Sequence, residues 1–218
     1  KDFNKNIKIC AVGRLVKFKT YNLWLIEVIK NLNSTGCNIT LDIYGTGPLY
    51  NHMYEQINEN ITLKGELPYE NFNEVVSNYD LFVGSGTAII QAASLGVTAI
   101  SAIESIDEPL TYGFFYEFYE HEYHHRDLVF PKFPVINVIE NFILSSEEAK
   151  QKLSNLHIES SKIFDMENCV NNFFDLENYS GSKLNEKKYN LLIYYITKIL
   201  FHIYIKIFKI DIYYVSDK

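Results

Sequence analysis

At 218 residues, 47% hydrophobic and 22% charged, the chain carries enough apolar mass for one substantial domain and is not a disordered polymer. Its net charge of −7 argues against broad nucleic-acid binding, which needs a basic surface to displace counterions. Cys10, Cys37 and Cys169 are widely spaced and form no C-x-x-C pair, which excludes a disulfide framework or a zinc-finger spacing and fits reduced thiols in a cytoplasmic protein.

Ile7–Val12 is rich in β-branched residues and ends at Gly13, so it reads as a strand. Residues 22–32 place Leu23, Leu25, Ile26, Ile29 and Leu32 near helical spacing. Ile39–Tyr44 reads as a strand stopped by Gly45-Thr46-Gly47-Pro48, with a helix over 49–57 and a short strand over 61–64. A helix over 69–78, a buried strand over 81–83, a small-residue helix over 87–95 and a strand over 97–102 follow. Strands alternating with helices at this spacing predict an α/β fold, a Rossmann-like parallel sheet with helices on both faces.

Beyond Glu104 the character changes. Residues 104–127 are aromatic and acidic and read as an irregular insertion or lid. Val135–Leu144 resembles a short amphipathic element, and 147–176 one or two helices. A hinge at Ser180-Gly181-Ser182 divides a main domain over 1–179 from a helical tail over 183–218. That tail carries +4 against −11 for the rest, and over 189–210 its Lys198, His202, Lys206 and Lys209 form one stripe on an apolar helix. Such a helix fits either an anionic membrane surface or packing against a domain.

Three strand-to-helix loops are rich in glycine: Gly13-Arg14, followed by Lys19; Gly45-Thr46-Gly47; and Gly84-Ser85-Gly86-Thr87-Ala88. In an open parallel sheet, ligands bind at these strand ends, where backbone N–H groups and the helix dipole favour an anion. Arg14 is one of two arginines among 20 basic residues, and with Lys19 it would complete a diphosphate site through charge-assisted hydrogen bonds.

The order of these pieces resembles the C-terminal, donor-binding domain of GT-B glycosyltransferases of the retaining family-4 type. VGRLVKFKTYNLWLIEV is similar to the opening of that domain, where the residues matching Arg14 and Lys19 contact the donor diphosphate. LDIYGTGPL, ITLKGELPYENFNEVVSNYDLFV, GSGTAIIQAASLGVTAISA and FDMENCVNNFFDLE match its later segments in order, so the resemblance covers residues 7–178. It implies transfer of a sugar from a nucleoside diphosphate sugar to a glycan or lipid-linked acceptor in surface polysaccharide synthesis. No metal or other cofactor is implied, and the location would be cytoplasmic or peripheral on the inner face of the membrane. Arg14 and Lys19 would be catalytic. Gly13, Gly45, Gly47, Gly84, Ser85, Gly86, Thr87, Ala88 and Gln91 would bind the donor, Gln91 at the ribose. The family's acceptor-binding N-terminal half has no counterpart in this sequence, so it would lie upstream in a longer protein or in a separate subunit.

Two departures stand out. The family's ribose-binding glutamate is replaced by Gln91, and its sugar-side glutamate aligns with Val83, which can do nothing polar. Three other readings remain open: an inactive nucleotide-binding or interaction module, a sugar-nucleotide 2-epimerase-like domain, and a zinc protease. The last rests on His121-Glu122-Tyr123-His124-His125, an H-E-x-x-H pattern with Glu140 as a third ligand by count. Cys10 and Cys169 read as small core residues.

Overall fold

The computed structural model describes residues 6–171 and, beyond them, Thr197, Leu200 and Phe201. The chain divides into two compact units, Lys1–Cys169 and Val170–Lys218; the architecture that follows is that of the first. The basic stripe of the expected tail and the hinge before it lie outside the described residues.

Among the described residues seven strands form one sheet. β1 (Ile7–Val12), β2 (Ile39–Tyr44), β3 (Ile61–Gly65), β4 (Leu81–Gly84) and β5 (Thr98–Ala102) run parallel in the order β3-β2-β1-β4-β5. β6 (Leu110–Phe114) and β7 (Phe133–Pro134) continue the sheet antiparallel beyond β5. The strands are short and β-branched because the inner ones are buried on both faces. Ile9 and Ala11 of β1, Leu81 and Val83 of β4, and Ile100 and Ala102 of β5 enter one core, while Cys10, Phe82 and Ala99 enter the other. Burial pushes the Cys10 thiol well above its ordinary pKa, as befits a core residue; Cys169 is exposed, so only Cys10 fills the core role expected of both.

The first core is covered by α1 (Tyr21–Ser34) and α6 (Val135–Leu144). Tyr21, Trp24, Leu25, Val28, Ile29 and Leu32 of α1 recur at helical spacing and are all buried, so truncating one of its leucines to alanine costs about 2–5 kcal/mol. The second core lies under α3 (Phe72–Val76) and α4 (Thr87–Ser94). α2 (Tyr50–Tyr54) contributes Met53 to the first core. Coverage ends at β2 and β3. There Ile39, Leu41 and Ile43 face the core, whereas Thr40, Asp42, Tyr44 and Thr62 line an open polar groove of about 500 Å³. Asp42 is held there by Lys64 at 3.5 Å and by the Tyr79 hydroxyl, which donates to it at 2.6 Å.

The insertion expected to be irregular over 104–127 contains β6 and a helical turn, α5 (Phe115–Phe118). Its L-T-Y-G-F alternates as a strand does, but it lies in an aromatic, acidic stretch, contains a glycine and pairs with β5 across a register shift between Ile100 and Ala102. Thr111 is buried and donates to the Ser101 carbonyl at 2.6 Å, a contact no local pattern announces. The helices expected over 147–176 begin with α7 (Glu147–Ser161), capped by Ser146, whose hydroxyl accepts from Ala149 N–H.

His157 of α7 docks this helix to β5. Its Nδ1 lies 2.7 Å from the Leu153 carbonyl, which can only accept, so Nδ1 carries the proton. Nε2 then accepts from Ala99 N–H at 3.0 Å. Burial pushes this imidazole below its ordinary pKa, against the opposing pull of the Leu153 carbonyl and of the Ala99 carbonyl, which lies 3.1 Å from Nε2. The unfolded chain therefore binds the proton more readily, and stability must fall as pH drops from about 6.5 toward the folded value. The melting temperature of the wild type should thus fall more steeply between about pH 7 and pH 5 than that of His157→Gln. Parallel curves for the two proteins would show that His157 does not titrate on unfolding.

Candidate functional site

The glycine-rich loops lie at the carboxyl ends of β1, β2 and β4, and the strand order reverses between β1 and β4. The loop after β1 lies backbone-on-backbone against the loop after β2. Gly13 N–H donates to the Tyr44 carbonyl at 2.9 Å, Leu15 N–H to Thr46 at 3.0 Å and Leu49 N–H back to Leu15 at 3.1 Å. A Cβ on Gly45 would overlap the Gly13 carbonyl oxygen, and one on Gly47 the Leu15 carbonyl oxygen. Gly45 and Gly47 thus shape the site from behind by allowing this approach, with φ of 152° and 153° that side chains disfavour.

The loop so fixed carries the cations. Lys19 Nζ stands 3.2 Å from the position of a Cβ on Gly13 and 6.0 Å from the centroid of the Tyr21 ring. Burial holds Lys19 below its ordinary pKa; Glu104 pulls it back up, and the Arg14 guanidinium pushes it down. Arg14 is exposed, Lys19 half-buried, and among the described residues neither side chain has an ion-pair partner. After β4, α4 begins at Gly86, with no side-chain cap and nothing within 4 Å of where a Cβ would stand. The first N–H groups of the helix, those of Thr87 and Ala88, have no intrahelical acceptor and sit at the positive end of its dipole. Gly84 closes β4 against the Phe82 ring.

Ser85 is buried and its hydroxyl donates to Glu104 Oε1 at 2.5 Å. Glu104 is the acidic member of the site, and sequence reasoning missed it. Its one signal is position, an acid two residues past the end of the buried strand β5. Its backbone is pinned: Glu104 N–H donates to the His124 carbonyl at 2.9 Å, and Ser105 N–H to Phe18 at 2.7 Å. Ser105 holds a φ of 57°, in the left-handed region. Tyr123 is buried, donates to the Gly86 carbonyl at 3.0 Å, and has its pKa pushed up to about 12 by burial and then by Glu104. The Tyr21 hydroxyl lies behind this group, against Ser85 but short of hydrogen-bond geometry, and is buried without a partner.

Gln91 sits in the second turn of α4, where its Nε2 donates to Asn73 Oδ1 at 2.9 Å. Its amide is thus on the α3 side of α4, apart from the Ser85–Glu104 pair. Val83 is fully buried in the core and takes no part in the site. The H-E-x-x-H stretch is not helical: residues 121–125 form turns and bends, so His121 and His125 share no helical face. Among the described residues no group of His, Cys, Asp and Glu could hold a metal ion. The zinc-protease reading is corrected on that geometry. Nor is any helix among them long and apolar enough to cross a membrane.

No protein-family profile and no curated protein matches the sequence. Solved structures do match in fold. The GtfA/B complex aligns at 17% identity and TM-score 0.55, over 78% of this chain and 35% of that one. TarM aligns at 16% identity and TM-score 0.52, over 78% and 34%. The catalytic domain of cholesterol-α-glucosyltransferase from Helicobacter pylori aligns at 15% identity and TM-score 0.52, over 73% of this chain and 99% of that one. These three are GT-B glycosyltransferases. This chain has the Rossmann-like fold of a GT-B half. It spans about a third of the length of GtfA/B and TarM.

Two substitutions test how the GT-B half is built at this site. Gly45→Ala should destabilise the domain by about 1–3 kcal/mol in denaturant unfolding, because the backbone behind it cannot yield. Tyr21→Phe should be neutral or stabilising, since it removes a buried hydroxyl without a partner. A loss above about 1 kcal/mol would show that the hydroxyl is hydrogen-bonded in solution.

Proposed function

We propose that this chain is the donor-binding half of a glycosyltransferase and holds a nucleoside diphosphate sugar at the carboxyl ends of β1, β4 and β5. The observation that carries the reading is the Arg14–Lys19 pair on the loop after β1, two cations without an ion-pair partner among the described residues, together with the uncapped start of α4 after β4. Glu104 already attracts Lys19, and a bound anion would add an attraction that both cations share. A diphosphate would satisfy both cations while accepting from the N–H groups of Gly86, Thr87 and Ala88.

The chemistry follows from the same charges. When the bond between sugar and diphosphate breaks, negative charge grows on the leaving phosphate. Arg14 and Lys19 stabilise that charge more in the transition state than in the bound donor, which lowers the barrier. Gln91 can bind the ribose as donor and acceptor once its amide leaves Asn73. The acceptor, a glycan or lipid-linked sugar, would be presented by a second, acceptor-binding half, as the GT-B architecture implies. Retention of configuration and a role in surface polysaccharide synthesis belong to this proposal through the resemblance of the sequence.

Calorimetry with UDP and GDP checks it. Arg14→Ala should weaken the diphosphate about ten- to a hundredfold while leaving the free nucleoside nearly untouched. Arg14→Lys should also weaken it, since lysine keeps the charge but loses the planar fork. Equal losses for nucleoside and diphosphate would make Arg14 structural and remove the basis of the reading.

A further inference from the structure

A carboxylate beside a phosphate cradle needs an explanation, since it repels the ligand that its neighbours attract. Glu104 is not a stray surface acid. Its Oε1 accepts from the buried Ser85 hydroxyl, its own N–H is tied to the His124 carbonyl, and the next residue is held at a φ of 57° by a bond to Phe18. The Ser85 proton is committed to that bond, so a phosphate cannot use the hydroxyl as a donor and is confined to the backbone N–H groups of Gly86–Ala88. Behind Ser85, the orphaned Tyr21 hydroxyl fills the space with a neutral donor. Lys19 feels the carboxylate from the loop after β1, and Tyr123 from the segment after α5. The second carboxylate oxygen, Oε2, has no hydrogen bond to the described residues.

We propose that Glu104 reads the group carried on the diphosphate, accepting a hydroxyl proton from a neutral sugar and rejecting a sugar that bears a carboxylate. This rests on the donor-site reading above and narrows it to a substrate class, the uncharged hexose or amino-sugar donors. Its physical basis is the difference between the two encounters. A sugar hydroxyl meets a fixed charged acceptor and gains a charge-assisted hydrogen bond. A uronate meets a like charge that Ser85 and the backbone prevent from turning away.

The test is calorimetry of the full chain, wild type and Glu104→Gln, with UDP, UDP-glucose and UDP-glucuronate and with GDP, GDP-mannose and GDP-mannuronate. In whichever series binds, the wild type should hold the hexose form at least about tenfold more tightly than the uronate form. Glu104→Gln, which can still accept from Ser85, should erase that preference and tighten the bare diphosphate. Glu104→Asp, which withdraws the carboxylate by one methylene, should reduce the preference and provides the same reading if the glutamine variant fails to fold. Equal wild-type affinity for hexose and uronate forms overturns the proposal. So does a Glu104→Gln change that shifts all three ligands by one factor, which would make Glu104 only a counter-ion to Lys19. If neither UDP nor GDP binds, the donor-site reading itself fails and takes this inference with it.

Discussion

Everything at this site depends on two loops touching through their backbones. Because Gly45 and Gly47 carry no Cβ, the loop after β2 can lie directly on the carbonyl groups of Gly13 and Leu15 and exchange hydrogen bonds with them. That contact turns the segment from Gly13 to Lys19, which has no regular secondary structure of its own, into a rigid shelf at the end of β1. A cation on a free loop would lose rotational freedom on meeting an anion. One mounted on this shelf has already lost much of it during folding. The glycines thus serve the ligand indirectly, through the backbone they let come close.

The shelf places its cations against an opposing charge and an opposing dipole. At Lys19 the attraction of Glu104 outweighs the repulsion of Arg14, and the uncapped start of α4 adds positive potential. The result is a site positive where backbone N–H groups converge and negative one strand farther on, at the end of β5. In the proposed donor site, an asymmetric ligand would fit such a field in one direction, with its most acidic part over α4 and its neutral part toward Glu104. The insertion after β5 holds this arrangement in place, since the Glu104 backbone is tied to His124 and the Tyr123 hydroxyl bonds Gly86.

Much of the fold was legible in the sequence, and the reasons are local. β1, β2, β4 and β5 are β-branched or apolar runs closed by glycine or polar residues, and α1 repeats its apolar positions at helical spacing. The parts that were not legible owe their structure to distant partners. β6 pairs with the edge of β5 across a register shift, and its short alternation of Leu110, Tyr112 and Phe114 is obscured by the aromatic, acidic residues around it. His157 looks like any histidine on a helix until α7 packs it against Ala99. Glu104 was one acid among many in an acidic stretch; only the fold brings it to Ser85, 19 positions earlier in the chain. The H-E-x-x-H stretch shows the reverse case, a pattern that promised a helix and forms turns.

The central claim is that an anionic ligand settles at the shelf and the start of α4, rather than in the polar groove on the open face of β2 and β3. Amide resonances report this directly in a ¹H–¹⁵N titration with UDP or GDP. The account predicts downfield shifts of the Gly86, Thr87 and Ala88 N–H groups, with smaller changes at Gly13 and Arg14. Shifts concentrated instead at Thr40, Asp42, Tyr44 and Tyr79, the residues of the groove, would contradict it.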